Sequence, residues 1–217
     1  MKANALFLGA AAGCLALSLL LPAPVRADDA SILRQANSAY NVGKYRQVLE
    51  LVAPLADQGN PSALILMGRL YENGLGVEPE PVVAVECYGR AAEAGSPTAM
   101  LLLASAYRTG YGVTRDTQQA FLWTQKAAET GNAEAQYNLA LMLSEGRFVK
   151  ADPRLAFSWA KLSAEQGYGE AQFFLAACYE KGAGTEKNAE LAEQWYAKAA
   201  AQGFTRGDNV FTRLPAK

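Results

Sequence analysis

Residues 96–131 read SPTAMLLLASAYRTGYGVTRDTQQAFLWTQKAAETG. Ser96 is a good helix N-cap, and Pro97 suits the first helical position, where no amide partner is needed. Ala99, Leu103, Ala106 and Tyr107 follow at helical spacing as one apolar face. Gly110 stands where a left-handed residue ends a helix. A loop runs to Asp116, which can cap a second helix with Ala120, Trp123, Ala127 and Ala128 as its inner face, and Gly131 closes that helix. The stretch predicts two helices, a loop between them and a tight turn after them.

The pattern recurs every 36 residues. Gly59, Gly95, Gly131, Gly167 and Gly203 keep that step, as do Gly74, Gly110, Gly146 and Gly182, and Trp123, Trp159 and Trp195. A fixed period of about 20–50 residues means stacked supersecondary units. Copies therefore span 60–95, 96–131, 132–167 and 168–203, with Asp152-Pro153 opening the second helix of the third copy and Asn188 capping that of the fourth. In the third copy Leu143 and Phe148 replace the Tyr and the second loop Gly, so its loop should take a different shape. Residues 28–59 form a degenerate hairpin, with helices over 31–40 and 45–57 around Gly43, that serves as an N-terminal cap. Residues 204–217 look like a partial fifth unit stopped at Pro215, covering the last repeat as terminal units do.

Residues 1–27 carry Lys2, an apolar run, the breaker Pro22-Ala23-Pro24 and small residues at Val25 and Ala27. That pattern predicts a secretory signal cleaved after Ala27. A retained anchor, or lipidation at Cys14, are the other readings. Cleavage would remove Lys2 and Arg26 and leave 18 basic against 21 acidic residues, a net charge of −3. No basic stripe exists for nucleic acid. The expectation is a monomer in the periplasm or beyond, without stable membrane insertion. Cys87 and Cys178 lie 91 residues apart, too many repeats for a disulfide in a stack where each unit touches its neighbours, and read as buried thiols.

The series Ala99, Leu103, Ala104, Tyr107, Gly110, Gly112, Val113, Asp116, Ala120, Trp123, Ala127, Ala128, Glu129 and Gly131 resembles the Sel1-like repeat (SLR) family, relatives of tetratricopeptide repeats. The match covers about two-thirds of the chain, from 60 to 203. The resemblance implies an all-α fold, a right-handed α-solenoid of antiparallel helix pairs. It also implies a scaffold that binds another protein, with roles in the bacterial envelope. Some disulfide-rich relatives are described as β-lactamases, but the regular cysteine pair per repeat is absent here.

The recurrent core positions leave a second stripe on each first helix: Leu66 and Arg69, Leu102 and Ser105, Asn138 and Leu141, Phe174 and Ala177. It is more apolar than a solvated face needs. It reads either as a partner-binding surface or as packing between adjacent first helices. Tyr111 and Phe148 on the loops are further candidates, again as contacts or as loop packing. The chain has no histidine, which removes a Ser-His-Asp triad and histidine metal sites. Gly74-Leu75-Gly76 and Gly110-Tyr111-Gly112 follow helices, not strands, and are interhelical turns rather than phosphate loops. Glu170, Glu186 and Glu190 read as solvated faces. No enzyme activity, metal or cofactor is expected. The alternative is a secreted glycan- or peptidoglycan-binding module, which would need exposed aromatic rings, or an accessory protein of wall metabolism. The Trp series instead reads as core, with a cost of about 3–5 kcal/mol for Trp159→Ala.

Overall fold

Alternation of small and large apolar residues at helical spacing, punctuated by caps and glycines, gives a chain of helices. A computed structural model describes residues 27–204. Ten helices follow one another: α1 (Ala27–Asn41), α2 (Tyr45–Asp57), α3 (Pro61–Asn73), α4 (Pro81–Glu93), α5 (Pro97–Thr109), α6 (Thr117–Glu129), α7 (Ala133–Glu145), α8 (Pro153–Glu165), α9 (Gly169–Lys181) and α10 (Ala189–Ala200). No strand occurs among the described residues. The strong contacts are between helices adjacent in the chain. The result is an α-solenoid of antiparallel pairs, in which the odd-numbered helix of each pair is the A helix and the even-numbered one the B helix.

The helix ends follow from side-chain chemistry. Asp116, Asp152 and Asn188 cap α6, α8 and α10 as the sequence predicts, each accepting from a backbone amide of the first turn at 2.9–3.0 Å. Ser96 Oγ accepts from the Ala99 amide at 3.4 Å, and Asn60 and Asn132 do the same work for α3 and α7. The A helices of the four repeats end on a left-handed glycine, Gly74, Gly110, Gly146 or Gly182. The N-terminal helix begins at Ala27, four residues before the stretch expected to be helical. The expected signal segment and most of the C-terminal partial repeat fall outside the described residues. Phe204 is within them, and its ring packs over Gly169 at the start of α9.

The core divides at α7. Ala135, Leu139 and Leu143 belong to the apolar cluster that runs back to α1, whereas Tyr137, Ala140 and Leu141 belong to the cluster that runs on to α10. One helix thus uses two apolar faces, one for each side of the stack. The residue pair 68/88 shows how size is matched across a hairpin. Tyr88 is buried over Gly68, where a Cβ would run into its ring, and its hydroxyl donates to Glu72 Oε2 at 2.7 Å.

The Trp expectation needs correcting. Trp123, Trp159 and Trp195 are only partly buried, and Thr124 rather than Trp123 completes the inner face of α6. The inner face of a B helix must come close to its A helix, so small residues take it and the indole moves to the flank. There Lys126 Nζ lies 4.0 Å from the Trp123 ring centroid, and Lys198 Nζ 3.9 Å from that of Trp195, as cation–π contacts. Trp159 packs against both clusters from outside. A half-buried ring gives up about half of its transfer energy, so Trp159→Ala should cost about 2 kcal/mol. Urea unfolding measures it, and a loss above about 4 kcal/mol would contradict this placement.

Candidate functional site

The second stripe on the A helices splits in two. Leu66, Leu141 and Phe174 are buried at 4–6% exposure and pack between neighbouring helices, Phe174 against the Tyr137 ring. Ala177 is buried with them. Arg69 and Ser105 are exposed, and Leu102 and Asn138 are half-buried. The stripe therefore packs at Leu66 and Leu141 and through the fourth repeat, and it opens in the middle, at Arg69, Leu102, Ser105 and Asn138.

That middle is a groove of about 480 Å³ on the A-helix face, reaching from Arg69 on α3, across Leu102, Ser105 and Arg108 on α5, to Asn138, Leu141 and Glu145 on α7. Leu101, Met142 and Phe148 add apolar surface, and Glu134 stands at the start of α7. Arg69, Leu102, Ser105, Asn138 and Leu141 are thus brought together, while Leu66 and Phe174 are not part of it. A second depression continues it through Leu102 and Ser105 to Glu72 and Tyr111.

The two loop aromatics part company. Tyr111 packs on the core and donates its hydroxyl to the Glu72 carbonyl at 3.0 Å, which ties the second loop to α3. Phe148 instead lines the groove with Arg147, which holds Glu145 at 3.4 Å. Arg108 and Arg147 were not singled out in the sequence. The departure from the loop pattern at 147–148 was the available signal.

The reactive groups elsewhere are quenched by packing. Burial pushes the Cys87 thiol up to about 11 and the Cys178 thiol up to about 12. Both cysteines are free and protonated at neutral pH, far from the thiolate that nucleophilic chemistry requires. Burial, with the Glu72 carboxylate beside it, likewise raises the Tyr88 hydroxyl. Among the described residues no helix is long and apolar enough to cross a membrane.

A solenoid of helix pairs with an open groove across successive A helices defines a helical repeat protein. The chain belongs to the Sel1 repeat family, whose profile matches residues 61–96, 97–132, 133–168 and 169–204. Sel1 repeats are in general protein–protein interaction modules. Among solved structures, the chain is similar to c5321, a protective antigen present in uropathogenic Escherichia coli strains and displaying an SLR fold. The identity is 36%, the match covers 79% of this chain and 38% of that one, and the TM-score is 0.70. It is also similar to a Sel1 repeat protein from Oxalobacter formigenes, at 31% identity over 79% of this chain and 70% of that one, with a TM-score of 0.72. A sel1 repeat protein from Klebsiella pneumoniae subsp. pneumoniae, at 24% identity over 87% and 94% of the two chains and a TM-score of 0.52, shares the fold. No curated protein is similar enough to count as a match.

Proposed function

We propose that this chain is a non-catalytic scaffold of the bacterial cell envelope that holds a partner protein in the groove across α3, α5 and α7. The observation that carries the reading is the opening of an otherwise packed stripe at Leu102, Ser105 and Asn138, flanked by Arg69 and Arg108. The signal-like pattern of residues 1–27 supports the envelope, and the bacterial sources of the similar structures support a bacterial setting. The glycan alternative draws less support, because lysines stack on the Trp123 and Trp195 rings that a sugar would need.

The test is a crosslinked pull-down of the tagged chain from its native envelope beside Leu102→Glu. Leu102 is only half-buried, so the variant should keep wild-type circular dichroism. Leu141→Glu is unsuitable, since Leu141 is 6% exposed and its replacement would bury a charge. The expected result is a protein recovered with wild type and lost with Leu102→Glu. A partner retained by the folded variant would move the interface off the groove.

A further inference from the structure

We infer that the groove accepts an extended peptide segment carrying an Asp or Glu side chain next to an apolar residue, an inference that rests on the docking reading above. The first ground is charge. Three arginines, Arg69, Arg108 and Arg147, line the groove against two glutamates, although the chain as a whole carries a net charge of −1. Arg147 is spent on Glu145 at 3.4 Å. Arg69 and Arg108 make no ion pair among the described residues. Arg108 Nη2 donates only a 3.4 Å bond to Ser105 Oγ, and the neighbouring Glu72 carboxylate takes the Tyr88 hydroxyl. A guanidinium has five N–H donors in a fork that fits a carboxylate. Two such forks stand largely unused beside an apolar floor.

The second ground is where the repeat breaks. In the first, second and fourth repeats the second loop glycine, Gly76, Gly112 or Gly184, sits against the backbone of the preceding B helix. A side chain there would collide with Arg46 N, the Pro81 carbonyl or the Pro153 carbonyl. Phe148 holds that register position in the third repeat and cannot nest the same way. It lines the groove instead, beside Arg147, and adds an aromatic ring to the apolar surface there.

The third ground is length. Packed helices lie about 8–10 Å apart, so the face from α3 to α7 is about 20 Å across. An extended chain advances about 3.3 Å per residue and crosses it in about six residues. A segment that crosses the face presents its acidic side chain rather than a chain end.

The experiment selects a random eight-residue display library, with carboxy termini blocked by fusion, on the purified chain, and then measures synthetic peptides by fluorescence anisotropy. The expected selection is enriched in Asp or Glu beside Leu, Ile or Phe. Replacing the acid by its amide should weaken binding about tenfold, as loss of a charge-assisted hydrogen bond does. Arg108→Gln or Arg69→Gln should weaken the acidic peptide similarly and leave the amide peptide unchanged. Leu102→Trp, which fills the groove without altering charge, should abolish both. Selected peptides without acidic enrichment that still depend on Leu102 would overturn the acidic inference and leave the docking reading standing. An empty selection from the blocked library, with binders recovered from a second library displayed with free carboxy termini, would overturn it in favour of a chain end. Binding indifferent to Leu102→Trp would overturn both.

Discussion

Gly112→Ala should lower the unfolding free energy by about 3 kcal/mol, whereas Gly131→Ala should cost about 1 kcal/mol. Both glycines have positive φ, +66° and +90°, and both recur at the 36-residue step, Gly112 in three of the four repeats. In sequence they look equivalent. Alanine at either position takes on the left-handed penalty of about 1–2 kcal/mol. Nothing lies within 4 Å of a Cβ at Gly131, so that penalty is the whole cost. A Cβ at Gly112 would overlap the Pro81 carbonyl and come within 2.9 Å of Val85 Cγ2. The obstacle is the first turn of α4, which belongs to the preceding repeat, and backbone there cannot swing aside as a side chain tip does. Overpacking of this kind adds about 1–3 kcal/mol. Gly112 is therefore a joint between repeats and Gly131 only a turn. Urea denaturation of the two variants separates these roles. Equal costs would show that the α5–α6 loop slides away from α4 freely.

This difference marks the boundary of what the sequence discloses. Periodicity and capping chemistry are local, so Ser96, Asp116, Asp152 and Asn188 were legible as caps and the glycines as helix ends. The side a residue faces within a stack is set by the neighbours above and below. Trp123 keeps perfect period with Trp159 and Trp195, and period alone placed it inside, but the close approach of α5 and α6 admits only Ala120, Thr124, Ala127 and Ala128. Likewise Leu102 and Phe174 hold one register position. Phe174 meets the Tyr137 ring and is buried, while Leu102 stays half-buried. The stripe was visible in the sequence. Its opening in the middle depends on which side chains happen to face it, and these vary between copies.

The same reasoning explains a polar feature that the sequence did not flag. Gln136 and Gln172 are 5–6% exposed, yet each is satisfied. Their Nε2 groups donate to the Ala128 and Ala164 carbonyls at 3.4 and 3.3 Å. Their Oε1 atoms accept from Gln166 and Gln202 at 2.7 and 2.9 Å. The register positions of Gln136 in the first two repeats are Leu64 and Met100, both buried. The later repeats thus close each hairpin with paired amides where the earlier ones use apolar contact. A glutamine pair 30 residues apart carries no sequence signature of its own.

Leu175→Ala should cost about 3–5 kcal/mol, and the damage should be local. Leu175 is fully buried in the cluster shared by α7 to α10. Removing its branched end leaves a cavity whose walls are helix faces already in contact, so relaxation is limited and the cost approaches the upper part of the range for buried leucine. In a compact globule such a loss spreads through the whole cooperative unit. Here the strong contacts join only helices adjacent in the chain, so stability is close to a sum of repeat and nearest-neighbour terms. Because α7 uses one face for each cluster, the Ala135, Leu139 and Leu143 face keeps its own partners when the other weakens. Hydrogen exchange of Leu175→Ala should show α9 and α10 losing protection by the full amount while α3 to α5 keep most of theirs. Uniform loss across all helices would mean that the clusters unfold as one unit. It would also mean that the groove across α3, α5 and α7 is coupled to the far end of the stack. Preserved protection in α3 to α5 would instead show that the helices lining the groove are stable independently of the fourth repeat.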